Sequence, residues 1–318
     1  MKFIGICAQG LEDVAMEEVK EILNVSSKIL IPGRIAFSAK SAKKLIEETQ
    51  SIMKVYEFKQ RCKNVEEIEV FNIEAPFRVI CSRKGENNYS SQMVERDVGE
   101  KFFNKGSKVD LEEPKTIVFV DIVNEEVIVG VDLTPVLLSR RDYRIKVHNQ
   151  SLNACVAYSV VRLSGYGEGK SLLDPFSKDG VIAIEALRYH KGTVYAYDGM
   201  FPNIRKLEIN AKLAGLRKEV KVSRIEVEWL DTKFKEDEVD CVVSAVPFPS
   251  KNVKEKDVLK IYKELFYQLN FILKKGGKAV FIAPTLKLLK EMNEKLSVVD
   301  EREVFVGRLK YDLVLFSK

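Results

Sequence analysis

The stretch SLLDPFSKDG, residues 171–180, has the residue types and spacing of a small-molecule binding turn. Its apolar start predicts a buried strand, and Asp174 stands at the carboxyl end of that strand. A proline and a final glycine, Gly180, then predict a turn that leads into a helix. In an open α/β sheet, a small cofactor lies outside such strand ends and against the N-terminus of the next helix. The stretch therefore predicts a cofactor-binding edge.

Alternating strand and helix patterns follow this turn to the end of the chain. Apolar runs predict strands at residues 171–176, 193–198, 220–225, 239–246, 278–283, 298–306 and 311–316. Helical periodicity predicts helices at residues 180–189, 202–214, 255–273 and 286–296. The first five strands alternate with helices or crossover segments, as a doubly wound parallel sheet requires. The last two strands have only a short connection, so one of them must run antiparallel.

The residues before this sheet predict two small α+β units. Residues 1–65 have the order strand–helix–strand–strand–helix–strand, which is typical of a ferredoxin-like unit. Residues 66–148 predict a second unit that ends in the basic segment LSRRDYRIK. A linking helix is predicted at residues 149–164. The predicted domains are therefore 1–65, 66–148 and 149–318.

Composition limits the class of protein. The 318 residues are 46% hydrophobic and 31% charged, which is typical of a globular protein and not of a disordered one. The net charge of +5 alone is weak support for nucleic-acid binding. The five cysteines lie far apart without a CxxC spacing, so we expect no metal site and no disulfide framework. Without a leader or a membrane-length apolar run, a cytoplasmic location is expected.

The C-terminal pattern resembles the sheet of class I S-adenosylmethionine (SAM) dependent methyltransferases. Asp198 ends the second strand in VYAYDGM, and LKKGGKAVFI resembles the approach to the fifth strand of these enzymes. In the N-terminal half, FRVICSRKGENNYSSQMVERDVGEKFF and the later SRRDYR resemble the THUMP RNA-binding module. Together these segments resemble the THUMP RNA methyltransferases that modify guanine N2. The resemblance covers nearly the whole chain and implies a Rossmann-like methyltransferase domain.

SAM is the cofactor that this resemblance implies. The cofactor-binding residues it implies are Asp174, Phe176, Gly180, Asp198 and Glu226. Related sequences have a glycine where this chain has Lys178, and glycine lets the backbone approach a cofactor closely. Lys178 either meets the carboxylate of the cofactor or blocks the site. For Asp174, the competing interpretation is a structural acid that caps the next helix.

The segment after the fourth strand resembles an amine-methylating motif. In related enzymes Asn/Asp-Pro-Pro-Tyr/Phe accepts hydrogen bonds from an exocyclic amine, and its aromatic ring stacks on a flipped base. The matching positions are Ala245, Val246, Pro247 and Phe248. Ala245 has no side-chain acceptor, so the candidate catalytic residues are Ser244, Pro247 and Phe248. Alternatively, Phe248 is an ordinary core aromatic residue.

The THUMP resemblance also implies binding of the acceptor end of tRNA. Basic side chains that neutralise phosphates would form this surface. The candidate RNA-binding residues are Arg78, Arg83, Lys84, Arg140, Arg141 and Arg144. The leading hypothesis is SAM-dependent N2-methylation of a tRNA guanosine, with the need for a small activating protein partner left open. The alternatives are a catalytically silent RNA-binding paralogue, whose methyltransferase fold serves as a scaffold or partner surface, and a SAM enzyme acting on another RNA atom.

Overall fold

The computed structural model describes residues 1–251 and 253–318, which divide into two compact units. The first unit contains Met1–Cys7 and Met16–Leu138, and the second contains Ala8–Ala15 and Ser139–Lys318. Each unit has its own buried apolar core. Among the described residues, no helix has the length and apolar character that crossing a membrane would require.

One mixed sheet of seven strands forms the centre of the first unit. Its strands are β1 (Lys2–Ile6), β2 (Ser27–Ile31), β3 (Arg34–Ser38), β4 (Lys54–Cys62), β5 (Phe77–Lys84), β6 (Thr116–Val123) and β7 (Glu126–Asp132). They lie in the order β2-β3-β1-β4-β7-β6-β5. The antiparallel pair β4 and β7 joins the strands predicted for the first α+β unit to those predicted for the second. The two predicted units thus share a single sheet.

The helices of the N-terminal region are α1 (Glu12–Leu23), α2 (Lys43–Glu48) and α3 (Ser91–Asn104). The Ser90 side chain caps α3 by accepting a hydrogen bond from the backbone N–H of Met93. Helix α2 ends at Glu48, because the backbone is extended at Thr49. The buried Glu18 carboxylate accepts hydrogen bonds from the Thr49 hydroxyl and from the backbone N–H of Gln50, which holds this helix end.

A second seven-stranded sheet forms the centre of the second unit. Its strands are β8 (Ser171–Asp174), β9 (Thr193–Asp198), β10 (Val220–Arg224), β11 (Val239–Ala245), β12 (Leu273–Ala283), β13 (Ser297–Val306) and β14 (Leu309–Ser317). They lie in the order β10-β9-β8-β11-β12-β14-β13. Strands β8 to β12 are parallel, and β14 runs antiparallel to both of its neighbours. This arrangement confirms the predicted parallel sheet with an antiparallel pair.

Among the described residues after Ser139, the α-helices are α4 (Ala154–Leu163), α5 (Val181–Tyr189), α6 (Phe201–Leu213), α7 (Glu255–Ile272) and α8 (Lys287–Glu291). Helix α4 starts later than predicted, because Asn153 caps it by accepting from the Cys155 N–H. Helix α8 ends earlier than predicted, because the Asn293 side chain bonds the backbone of Leu296 and so competes with helix formation. Together the α+β unit and this α/β sheet confirm the predicted fold class.

Candidate active site

A cavity of about 530 Å³ lies at the carboxyl edge of the second sheet. The strand order changes direction between β8 and β11, which is the place where open α/β sheets bind ligands. Four predicted site residues line the cavity: Phe176, Asp198, Glu226 and Pro247. Lys178 and Asn203 line it as well. The structure therefore brings together residues from the ends of four strands, which are spread in the sequence from Phe176 to Pro247.

The turn after β8 has a left-handed backbone at two positions. Gly180 has φ +83° and Lys178 has φ +52°. Glycine adopts this conformation without steric cost, whereas a side chain makes it unfavourable. A Cβ atom on Gly180 would lie 2.7 Å from Cγ of Leu207 in α6, so this glycine also allows close helix packing. Lys178 therefore stands at a position whose backbone suits glycine better.

Asp198 connects this turn to the start of α6. Its Oδ2 accepts a hydrogen bond from the Lys178 backbone N–H at 3.0 Å. Its Oδ1 accepts from the Met200 N–H at 2.9 Å and from Asn203 Nδ2 at 3.0 Å. Asn203 is not among the residues that the sequence analysis identified. Pro202 indicates the start of a helix, but only the fold shows that the next side chain points back to Asp198.

Asp174 is buried beneath the turn and does not line the cavity. Its Oδ1 accepts a hydrogen bond from the Ser244 hydroxyl at 2.5 Å. Burial raises the pKa of Asp174 to about 7, although the Ser244 hydrogen bond and the charge of Lys178 act in the opposite direction. Ser244 is fully buried and does not line the cavity, and its hydroxyl proton is directed to Asp174. Its candidate role as a hydrogen-bond acceptor next to Ala245 stays a prediction.

The Lys178 side chain turns inward and ends beside β11. Its ammonium Nζ donates to the backbone carbonyl of Ala245 at 2.6 Å, and only 8% of the residue is exposed. Burial lowers the pKa of Lys178, and the carboxylates of Asp174 and Asp198 partly offset this effect. The ammonium thus lies among groups that accept hydrogen bonds or carry negative charge.

The segment after β11 supplies the remaining candidate residues. The carbonyl of Pro247 accepts a hydrogen bond from the hydroxyl of Tyr262 in α7, which fixes this segment on the helix. Phe248 is half-buried and packs against the apolar core of the sheet. Glu226 is exposed just after β10 and lines the cavity next to the buried Ile225. Within the described residues, no group of three His, Cys, Asp or Glu side chains is arranged to hold a metal ion.

The six candidate RNA-binding residues differ in exposure. Arg83 and Arg140 are exposed, while Arg78 and Lys84 are half-buried. Arg83 donates to the side chains of Asn87 and Ser91, both at 3.1 Å. Arg78 donates to the carbonyl of Leu111 at 3.0 Å.

Two of the six hold the segment 140–144 in place inside the second unit. Arg141 forms a two-pronged ion pair with the fully buried Glu185 of α5, with distances of 3.1 and 3.0 Å. Arg144 donates to the Ser151 hydroxyl at 2.8 Å and lies 3.8 Å from the Asp179 carboxylate. Both side chains are largely buried, which corrects the expectation of one solvent-facing set of six cations. Charge in the sequence does not reveal such internal pairing.

Comparison with known proteins agrees with this architecture. The RMKL-like methyltransferase domain family (UPF0020) matches residues 141–314. The chain belongs to this family. A THUMP domain matches residues 54–132, so the chain is a THUMP-containing member of the RMKL-like family.

Several curated relatives of this family member are known. A Thermus thermophilus protein named tRNA (guanine(6)-N2)-methyltransferase is 32% identical, and the match covers 67% of this chain and 64% of that protein. The chain thus matches somewhat less than two thirds of the length of that relative. A Methanocaldococcus jannaschii protein of the same name is 25% identical over 97% of this chain and 98% of its own length.

Solved structures show the same fold. The crystal structure of TrmN from Thermus thermophilus superposes with a TM-score of 0.83 at 24% identity, covering 100% of this chain and 99% of that one. The protein SMU.472, solved in complex with SAH (S-adenosylhomocysteine), superposes with a TM-score of 0.80 at 15% identity, covering 99% and 97%. At these identities the likeness concerns the fold.

Proposed function

We propose that this protein transfers a methyl group from SAM to the exocyclic N2 of a guanosine in tRNA. The single observation that carries the proposal is the cavity at the strand switch point, which Asp198, Glu226 and Pro247 line together. The methyltransferase family and the curated relatives named tRNA (guanine(6)-N2)-methyltransferase support the same activity.

The cavity fits the adenosyl end of SAM. A carboxylate oxygen accepts about two hydrogen bonds, and Oδ2 of Asp198 accepts the Lys178 N–H in the described contacts. This oxygen therefore keeps capacity for a ribose hydroxyl. The carboxylate of Glu226 suits the exocyclic amine of adenine, and the apolar Ile225 and Val227 beside it suit the adenine ring. The volume lies in the range of roughly 300–1,000 Å³ that is usual for ligand pockets. When bound, SAM supplies an electrophilic methyl group.

The segment at Pro247 and Phe248 is the candidate site for the target base. In this proposal Phe248 stacks on an extruded guanine, and backbone carbonyls near Pro247 accept hydrogen bonds from the N2 amine. Alignment of the amine with the methyl donor would be the main contribution of these residues. Because Ala245 lacks a side-chain acceptor, we expect a rate lower by about 10²–10³ than with a positioned amide.

The THUMP domain supports tRNA as the substrate class, and we propose that the acceptor end is the part bound. The exposed Arg83 and Arg140 are the candidate phosphate contacts. We propose a cytoplasmic location together with this substrate. A small activating protein partner is part of the proposal only if the purified protein binds both SAM and tRNA without methyl transfer.

Mass spectrometry of the RNA tests the activity directly. Unmodified tRNA is incubated with the protein and SAM, digested to nucleosides, and searched for N2-methylguanosine. We expect one additional methyl group on one guanosine in wild type and a strong loss of product in Asp198→Ala. A protein that binds SAM and tRNA, yet yields no product with or without cell extract, would favour the scaffold alternative.

A further inference from the structure

The chain places a buried ammonium group of its own at the wall of the candidate cofactor cavity. Lys178 Nζ lies 2.6 Å from the carbonyl oxygen of Ala245, and Lys178 itself lines the cavity. The charges of Asp198 and Asp179, and that of Asp174 in its ionised form, favour the protonated form of this amine. The Ala245 carbonyl as acceptor and the carboxylate charges together make a buried site that favours a cation.

The amino-acid end of SAM carries the same chemical group. It consists of an α-ammonium and a carboxylate, joined through the sulfonium to the adenosyl end. The adenosyl end fits Asp198 and Glu226 as proposed above, so the amino-acid end would extend toward the turn that contains Lys178. A carboxylate-rich, carbonyl-lined position favours an ammonium and repels a second carboxylate. The wall of the cavity therefore offers an ammonium site that a lysine already fills.

We propose that Lys178 competes with the amino-acid end of SAM: its ammonium occupies the position at the Ala245 carbonyl, and it must swing out before the cofactor binds fully. The proposal rests on the SAM-binding function stated above. Release of Lys178 also frees the Ala245 carbonyl, at the segment proposed for the target amine. Cofactor binding and exposure of this acceptor are thus coupled through one side chain.

The backbone of residue 178 supports this interpretation. A φ of +52° suits glycine, so the fold does not require a side chain at this position. The opposite role, in which Lys178 holds the cofactor carboxylate, predicts an effect of opposite sign. Substitution of Lys178 therefore separates the two.

Titrations of the full-length protein with two ligands test the proposal. S-adenosylhomocysteine has the amino-acid end and does not react, whereas 5′-methylthioadenosine has only the adenosyl end. Trp229 is the single tryptophan of the chain and lies close to Glu226, in an adjoining depression, so its fluorescence reports binding. Calorimetry measures the same binding independently. The variants are Lys178→Met, which removes the charge, and Lys178→Gly, which removes the side chain and suits the backbone.

We expect both variants to bind S-adenosylhomocysteine about tenfold more tightly, since a charged hydrogen bond no longer has to be broken. Affinity for 5′-methylthioadenosine should stay unchanged. Asn124→Gly is the matched control, because Asn124 also has a left-handed backbone, φ +54°, but lies in the turn between β6 and β7. It should change neither affinity.

Weaker or equal binding of S-adenosylhomocysteine by both variants would overturn the competition. If 5′-methylthioadenosine then still binds, the proposed SAM site survives and only the role of Lys178 is lost. If neither ligand binds wild type or variants at millimolar concentration, the proposed function fails and the competition with it. Equal gains for both ligands would mean that the substitutions act on the whole cavity, which also contradicts the proposal. Thermal melting shows whether each variant is folded. If Lys178→Met does not fold, Lys178→Gly alone carries the test.

Discussion

At the scale of single residues, burial decides what each charged group near the cavity does. Asp198 and Asp174 end neighbouring strands, yet Asp198 lines the cavity and Asp174 lies beneath it. Arg140 and Arg141 are adjacent in sequence, yet one faces solvent and the other is paired with Glu185. Residue type indicates the chemistry in each case, but the fold assigns the role.

Asp174→Asn tests the effect of burial through its pH dependence. The pKa of Asp174 is about 7 in the folded protein and about 3.9 in an unfolded chain. Between these values the folded protein holds a proton that the unfolded chain has released, so the stability contributed by Asp174 falls as the pH rises and is lowest above pH 7. From pH 5 to pH 8 we expect the variant to gain on the order of 2 kcal/mol relative to wild type.

Urea titrations at several pH values measure this difference in unfolding free energy. The exposed Asp142, changed to Asn, is the control and should follow the wild-type curve. Parallel curves for wild type and Asp174→Asn would mean that Asp174 is ionised in the folded protein at pH 5.

Arg141→Met tests whether this arginine is structural. The substitution leaves the fully buried Glu185 without its cation, which typically costs about 3–5 kcal/mol of unfolding free energy. In the double variant Arg141→Met/Glu185→Leu, most of this loss should be recovered, because no buried charge remains. Arg140→Met, at an exposed site, should change stability by less than about 0.5 kcal/mol. A loss below 1 kcal/mol in the single variant, by chemical denaturation, would show that Glu185 reaches water.

At the scale of elements, the turn between β8 and α5 depends on close packing against α6. Gly180 is both left-handed and too close to Leu207 for a Cβ atom. Gly215, which follows α6, has φ +75° but open space around it. Substitutions at these two glycines therefore separate the cost of backbone strain from the cost of steric overlap.

Gly180→Ala should cost more than Gly215→Ala for this reason. We expect about 1–2 kcal/mol from the left-handed backbone in both, and a further 1–3 kcal/mol from overpacking against Leu207 in Gly180→Ala alone. Differential scanning calorimetry gives both values. Adding Leu207→Ala to Gly180→Ala should remove the overpacking contribution, although the Leu207 cavity has its own cost. Equal losses in the two single variants would mean that α6 shifts freely to make room.

The elements of the second sheet follow from the sequence because they are local patterns. Apolar runs give strands β8 to β14, and the short connection at 307–308 requires an antiparallel pair. Helix ends are less predictable, since side chains such as Glu18 and Asn293 compete for backbone groups at α2 and α8. At the candidate site, Asp198 and Glu226 follow strand ends and can be predicted, whereas Asn203 and the contact of Lys178 with Ala245 depend on folding.

At the scale of the whole molecule, long-range pairing is what sequence patterns miss. Strand β4 and strand β7 are about seventy residues apart, and their pairing merges two predicted units into one sheet. The local pattern of each strand is compatible with two separate small sheets. Only the burial of both strands together selects the single sheet. Net charge likewise leaves the spatial arrangement undetermined, because a value of +5 does not show which cations are free to contact phosphates.

The salt dependence of tRNA binding tests how many phosphate contacts each unit contributes. Each phosphate contact releases counterions, so the slope of log K against log[salt] changes by about 0.7–0.9 per contact. Arg83 in the first unit and Arg140 in the second are exposed, and each one changed to Gln should weaken binding and reduce this slope by about one contact. The matched control is Arg308→Gln, an exposed arginine in the turn between β13 and β14. If all three variants bind tRNA like wild type, phosphates are held elsewhere. If only Arg140→Gln differs from wild type, the phosphate contact lies at Arg140 and Arg83 contributes none.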